Sequence, residues 1–578
     1  MLSLVVTAPL LAPGYLLVRD AVSTPRSYLS DAALGLSEAA PRALPQDFAI
    51  ALASHVVDGG IVVKALLIAG LWLAGWGAAR LAAVVLPDAG LPGQFVAVTL
   101  AIWNPYVAER TLQGHWSLLV GYGCLPWVAA AVLRLRSGGR NDPGSSTRAD
   151  GSWWPVLFWM ALAGLTPTGL MLAATVALTC CLAPGRGRSR LACAAVSLGA
   201  AVVAALPWLI ASTVAGSLLS SQAEGVGAFA ARAEPGLGTL FSVAGLGGIW
   251  NGQAVPDSRT TLFAVLATVV LLAVVAVGLP SALREPAAVP LLVLAAVAVA
   301  LPALMATGPG LAFVESTVRT LPGLGVLRDG QKWVALAMPG YAVAGAGVVV
   351  TLRHRVPAVA TAVACCCALL AVLPDLAWGV GGKVTSVRYP QGWATMAALI
   401  NADPRPVAVL PPDSMRNFAW AGRAPVLDPL PRWVSADVLT TGDLVIGGRT
   451  VPGEGERARL VQRLLTSGAD AAQVADAGVG WVVVESGGAS LPLPVAYRDN
   501  DLTLYRIGGE RSDGGNVGGE RSDGGNVGGE RSDGGKSRGD HPASAHRGVL
   551  IAAHLIWLAA LIVGAVGSAV SQRLRRCR

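Results

Sequence analysis

Apolar runs of membrane-spanning length recur along the chain and constrain its fold more than any other feature. Residues 262–279, 291–305 and 549–570 are nearly uninterrupted hydrophobic stretches. A helix needs about 20 mostly apolar residues to cross the hydrocarbon core. In lipid every backbone N–H and C=O must be satisfied within its own segment, so runs of this kind read as helices. Of the 578 residues, 53% are hydrophobic and only 13% charged, whereas a soluble domain carries about 25% charge. The predicted class is mainly α: a polytopic transmembrane helical bundle with a small extracytoplasmic α/β domain.

The formal net charge of +8 does not indicate nucleic acid, because of where the cations lie. They cluster at Arg134, Arg136, Arg140 and Arg148, at Arg186, Arg188 and Arg190, and at Arg573, Arg575, Arg576 and Arg578. Each cluster sits beside an apolar run, as cytoplasmic loops require. With the N-terminus inside, about twelve spans are predicted, near 2–18, 61–80, 92–108, 116–133, 153–167, 168–183, 191–214, 261–280, 289–306, 334–351, 356–374 and 549–570. This count puts all three clusters, Arg353, Arg355 and both termini in the cytoplasm of a multi-pass plasma-membrane protein. The run 2–18 has no basic n-region and no small-residue cleavage site before Tyr15, so it reads as an uncleaved span. All eight cysteines fall in predicted spans or the cytoplasmic tail, with no disulfide framework and no zinc spacing.

Polar mass is concentrated outside. Residues 1–375 form the predicted helical core, with extracytoplasmic loops 19–60, 215–260 and 307–333. Residues 376–507 have the composition of an α/β domain, with short strands at Val407-Ala408-Val409-Leu410 and Trp481-Val482-Val483-Val484 and helical spacing over 390–402 and 455–467. Residues 508–547 hold a ten-residue repeat beginning Gly508-Gly509-Glu510-Arg511. Its period is wrong for a calcium-binding β-roll, and it has little to bury, so a flexible linker is expected. Residues 548–578 are the last span and the basic tail.

Three polar clusters lie at membrane boundaries on the outer side. Arg19 and Asp20 end the first run, where a carboxylate can act as a base toward a hydroxyl, or the two can simply pair at the interface. Trp103-Asn104-Pro105-Tyr106 leads to Glu109, Arg110, Gln113, His115 and Trp116. The aromatic residues suit an interfacial belt, but the charged and amide residues exceed what a belt needs and can hold a phosphate. Arg328-Asp329-Gly330-Gln331-Lys332-Trp333 offers two cations and an aspartate, read either as a site for an anionic head group or as a helix start capped by Asp329.

In order and character these clusters resemble the GT-C superfamily of integral membrane glycosyltransferases. The resemblance lies in an acidic residue just after the first span, and in the loop Asn104-Pro105-Tyr106 with Glu109-Arg110 and Gly114-His115-Trp116. The stretch from Arg328 to Trp333 is similar to a landmark of actinobacterial arabinofuranosyl- and mannosyltransferase-like members. The resemblance covers roughly residues 1–375. It implies sugar transfer from a polyprenyl-phosphate-linked donor to a cell-envelope glycan or lipid acceptor on the outer face, with membrane lipid and the carrier as partners. It specifies no other cofactor and does not settle whether a divalent metal takes part. It implies that Asp20 is the catalytic base and Glu109 the second acidic candidate. Arg110, His115, Arg328 and Lys332 would contact the carrier phosphate, and Arg19, Trp116 and Asp329 would complete the substrate-binding set. The chain departs from the family pattern in one respect: many members pair two acidic residues in the first loop, whereas Asp20 stands alone until Asp31.

Two rival classes fit the same topology. A transporter or flippase for a lipid-linked precursor usually carries ionisable residues at mid-membrane, whereas Lys64 is the only charge well inside a predicted span, which disfavours an ion-coupled transporter. A non-catalytic scaffold would use 380–507 as its partner-binding module.

Overall fold

The computed structural model describes residues 1–37, 43–138, 152–214, 225–321, 324–446, 449–485, 490–508 and 540–576. The repeat at 509–539, read as a linker, lies outside the described residues, as do Arg140, Arg148 and Arg578. Residues 540–547, expected to close that linker, instead begin the last helix, Asp540–Arg576.

Six described helices are long and apolar enough to cross a membrane: Gly59–Val85, Trp116–Ser137, Arg190–Val214, Phe263–Leu283, Gly330–Leu352 and Ala545–Leu574. Two helix pairs reach that length only together. Val289–Met305 bends by 92° into Gly308–Thr320, and Ala358–Ala371 bends by 74° into Pro374–Gly382. Counting each pair as one span raises the number to eight, short of the twelve expected. Shorter helices occupy the remaining positions: Leu2–Leu11, Trp154–Ala163 and Pro167–Cys181, and Gly90–Ile102. Ten residues of helix rise about 15 Å, half the hydrocarbon core of about 30 Å.

Local chemistry ends each short helix. The chain breaks at Trp103 and restarts as Pro105–Leu112, with Asn104 accepting the Val107 N–H as the cap and Pro105 in the first turn. Thr166 caps Pro167–Cys181 in the same way by accepting the Gly169 N–H. The expected span at 2–18 differs most. Only Leu2–Thr7 is α-helical, Ala8–Leu11 is a 3-10 turn, and Tyr15–Val18 is a β-strand. Pro9 lies in the tighter turn, and Pro13-Gly14 forces the chain out of the helix.

Two helices form the centre of the bundle. Trp116–Ser137 and Gly330–Leu352 are each 89% buried over their most apolar stretch, against 33% for Phe263–Leu283. Helices meet backbone to backbone where side chains vanish. A Cβ on Gly123 would lie 2.3 Å from Gly70 O, and one on Gly347 2.4 Å from Gly278 O. The outer helices turn Leu262, Val269, Val293, Val359 and Val566 outward, an apolar face suited to lipid.

Beyond the bundle stands a five-stranded sheet in the order Val495–Arg498, Leu502–Arg506, Trp481–Glu485, Val407–Leu410, Val438–Leu439. Its last three strands are parallel and its first two antiparallel. Alternate strand residues feed opposite faces. Val407, Val409, Trp481 and Val483 pack against Gln391–Ala402, while Ala408, Val482 and Val484 pack against Glu456–Thr466 and Ala471–Asp476. Ala21–Val22, Tyr15–Val18 and Ser386–Val387 form a second, antiparallel sheet. Leu17 and Val22 of that hairpin sit in the same core as Trp393, Phe418 and Trp433, so the N-terminal segment is shared between the bundle and the α/β layer.

Candidate functional site

The register Leu17↔Val22 and Val18↔Ala21 leaves Arg19 and Asp20 as a two-residue hairpin turn. Turns of this kind place φ > 0 at the first central residue and favour glycine there. Here it is arginine, at φ 46°, a conformation costing about 1–2 kcal/mol for an L-residue. Strain of this kind persists where surrounding structure over-determines it. The Arg19 side chain is buried and donates to Leu112 O at 2.6 Å and Gln253 O at 2.7 Å.

Asp20 follows in the turn with its side chain 39% exposed. Its backbone N–H donates to Gln113 O at 3.1 Å. Its Oδ2 accepts from Gln113 Nε2 at 3.1 Å and meets His115 Nε2 at 2.8 Å. Gly114 makes this approach possible. Its φ is +81°, and a Cβ there would lie 2.3 Å from both Val18 O and Ala21 N.

The tautomer of His115 follows from its other neighbour. Arg110 Nη1 lies 3.2 Å from His115 Nδ1, and a guanidinium only donates. Nδ1 is therefore the acceptor, and Nε2 carries the proton donated to Asp20. Electrostatics agree. Burial, with the Arg110 and Lys332 charges, holds the imidazole below its ordinary value despite the Asp20 carboxylate. Burial alone would raise the Asp20 carboxyl, but the hydrogen bond from His115, the Gln113 amide and the Lys332 ammonium outweigh it and hold it below the usual carboxylate range. At neutral pH the pair is an aspartate and a neutral imidazole.

Arg110 is fully buried and organises the rest. It donates to Asp329 through Nη1 at 3.0 Å and Nη2 at 3.2 Å, reaches Gln331 Oε1, and stands 5.4 Å from the Tyr106 ring centre. Burial pushes the Asp329 carboxyl up, but the Arg110 and Lys332 charges bring it down to about 2. The Lys332 ammonium lies 3.7 Å from Asp329 Oδ2, on a side chain that is 26% exposed. Asp329 makes no side-chain cap on the following helix; it pairs with arginine instead.

Glu109 sits one residue away and faces elsewhere. It is wholly buried and accepts from the Gly248 N–H at 3.1 Å, the Ile249 N–H at 3.2 Å and Gln331 Nε2 at 3.0 Å. Burial and the neighbouring Glu234 push its carboxyl well above the ordinary value. Glu234 in turn is paired with the buried Arg259, whose Nε donates at 3.0 Å. Trp116 is 3% exposed and packs in the bundle core.

Arg328 stands beside this network. Its guanidinium lies 5.4 Å from the Phe229 ring centre, and Phe229 meets Trp250 edge-on at 4.8 Å. It lines a small apolar cleft with Val226, Ala230, Met305, Leu311 and Val314. The fold thus joins Asp20, His115, Arg110, Asp329 and Lys332 in one polar network, sets Arg328 at the adjacent cleft, and turns Glu109 and Trp116 inward. Sequence reasoning did not single out Asn251, whose Nδ2 donates to Gln113 Oε1 at 2.8 Å, or the Glu234–Arg259 pair. Both come from a loop that carries no recognisable motif. Among the described residues no group of three His, Cys, Asp or Glu side chains is arranged to hold a metal ion.

Neither a family model, a curated protein nor a solved structure matches the chain, so the chemistry of this site rests on its geometry.

Proposed function

We propose that the chain is an integral membrane glycosyltransferase of the plasma membrane. It moves a sugar from a polyprenyl-phosphate donor to a hydroxyl of a cell-envelope glycan or lipid on the extracytoplasmic face. The observation that carries this reading is Asp20. It is the partly exposed carboxylate of the network, held ionised by a neutral histidine, with Lys332 close by and an arginine-lined apolar cleft at the edge of the network.

Each partner then has a task. Both Asp20 contacts fall on Oδ2, so Oδ1 takes the proton of the acceptor hydroxyl. The acceptor oxygen forms its bond to the anomeric carbon as the bond from that carbon to the phosphate oxygen breaks. The phosphate leaves with the electron pair, and the Lys332 and Arg328 charges stabilise it. Leu311 and Val314 of the helix Gly308–Thr320 give the cleft beside Arg328 an apolar wall, the kind of surface an isoprenoid chain would lie against. Arg110 gives both Nη groups to Asp329, Gln331 and His115, so its role here is to set the charge of the pair rather than to meet the phosphate. Glu109 likewise braces the 247–249 loop. The finer topology belongs to the same reading: arginine clusters inside and the α/β domain outside.

Membranes holding wild type, Asp20→Asn or Glu109→Gln are incubated with radiolabelled polyprenyl-phosphate sugars and an envelope acceptor extract. Wild type is expected to transfer label. Asp20→Asn should lose about 10²–10⁴-fold, the contribution of a positioned general base. No transfer by wild type with any donor would sink the enzyme reading. Equal transfer by wild type and Asp20→Asn would remove Asp20 from the chemistry.

A further inference from the structure

We propose that the α/β domain is part of the site: its strand Val426–Leu427 clamps the Arg19–Asp20 turn in the conformation that aims the Asp20 carboxylate. Arg19 is then a positioning residue, held by a domain encoded near the other end of the chain. This rests on the reading of Asp20 as the base.

Both backbone polar groups of Arg19 are taken by that domain. Its N–H donates to Pro425 O at 2.9 Å, and its C=O accepts the Leu427 N–H at 2.8 Å, making a parallel bridge to Val426. The side chain fastens in other directions, to Leu112 O and Gln253 O, and the next N–H, that of Asp20, is given to Gln113 O. Relaxing φ from +46° would break the bridge to the α/β domain and swing Asp20 away from His115. The flanks of the turn belong to the same domain. Leu17 and Val22 fill its aromatic core, Tyr389 Oη donates to Ser23 O at 2.9 Å, and the Tyr28 N–H donates to Arg432 O at 3.0 Å.

The clamp itself is anchored. Val426–Leu427 pairs with Met415–Arg416. The buried Arg416 donates to Asp428, at 3.4 Å, and to Glu485 at the end of the central strand Trp481–Glu485. A continuous set of bonds therefore runs from the middle of the five-stranded sheet to the turn that bears Asp20. The test reads the state of the site directly.

The full chain in lipid nanodiscs carries ¹³C-labelled histidine. Its six histidines are resolved by NMR, and His115 is assigned from the signal lost in His115→Gln. Asp20→Asn sets the reference, because it removes the carboxylate that raises the imidazole pKa, so the His115 midpoint falls. Leu427→Pro deletes the N–H given to Arg19. Leu17→Ala/Val22→Ala loosens the hairpin without touching that bond. Arg459→Ala, on the far helix Glu456–Thr466, reports general damage to the domain. The His115 midpoint is expected to fall in Leu427→Pro and in the double variant, with transfer down by about a hundredfold as for a misplaced catalytic group, while Arg459→Ala matches wild type. A wild-type midpoint in the folded Leu427→Pro and double variants would overturn the clamp. So would an equal fall in Arg459→Ala. If wild type transfers no sugar, the enzyme reading fails, and the titration still decides the clamp.

Discussion

At the scale of single residues the site is ordered by what each side chain is able to donate. Arginine has five N–H donors and no acceptor, so Arg110 dictates the His115 tautomer, and His115 in turn dictates the charge of Asp20. The consequence for pH has a definite sign. In His115→Ala the hydrogen bond that lowers the Asp20 carboxyl is gone, while part of the burial that raises it remains. The carboxyl pKa rises, and the acid limb of the transfer rate against pH is expected to move to higher pH. A profile of kcat/KM between pH 4 and 8 checks this, and an unmoved limb would mean that His115 does not set the base. Asp20, Arg110, His115, Asp329 and Lys332 were legible in the sequence, because polar residues packed into short gaps between apolar runs stand out. Asn251, Glu234 and Arg259 were not. Glu109 meets Gly248 across 139 residues, and nothing in local pattern announces such a partner.

At the scale of elements, hydropathy registers side chains and not backbone shape. Tyr15–Val18 is apolar whether it is helix or strand, so the expected first span absorbed a hairpin. The expected boundary between 153–167 and 168–183 falls where Thr166 caps the helix Pro167–Cys181, a break set by local chemistry. The close approach of the 110–115 loop to the hairpin is also invisible in one dimension, yet it depends on a single missing Cβ. Gly114→Ala should lower stability by about 1–2 kcal/mol from the positive φ alone. The new methyl must also displace Val18 or Ala21, so transfer is expected to fall together with the unfolding temperature in detergent. A variant with wild-type melting and activity would show that the loop and hairpin do not meet this closely.

At the scale of the molecule the polar contacts sort into two ends. Arg136 Nε donates to Ala183 O at 3.0 Å and its Nη1 reaches Arg188 O, so the two basic loops share one end. Asp375 bonds Ser258 through N–H at 2.8 Å and Oγ at 2.6 Å, and Arg19 bridges to Val426. The site and the α/β domain therefore share the other end. In a background lacking Cys367 and Cys577, Ser467→Cys should label with an impermeant maleimide from outside intact cells, and Ser189→Cys only after the membrane is opened. Labelling of both from one side would overturn the topology. The one charge well inside a predicted span has a structural task, since the Lys64 ammonium donates to Ala12 O at 3.0 Å and Gly14 O at 2.8 Å and so fastens the N-terminal segment.

The membrane habit of this protein, the arginine-rich ends and the small α/β layer were determined by the sequence, because apolar run length, charge position and strand alternation are local sums over neighbours in the chain. Which carboxylate faces solvent was decided only by the tertiary structure. Asp20 and Glu109 are equivalent acids in one dimension. Their difference arises from a strained turn, a glycine without a Cβ, and a loop from more than a hundred residues away that buries one acid while a histidine holds the other ionised.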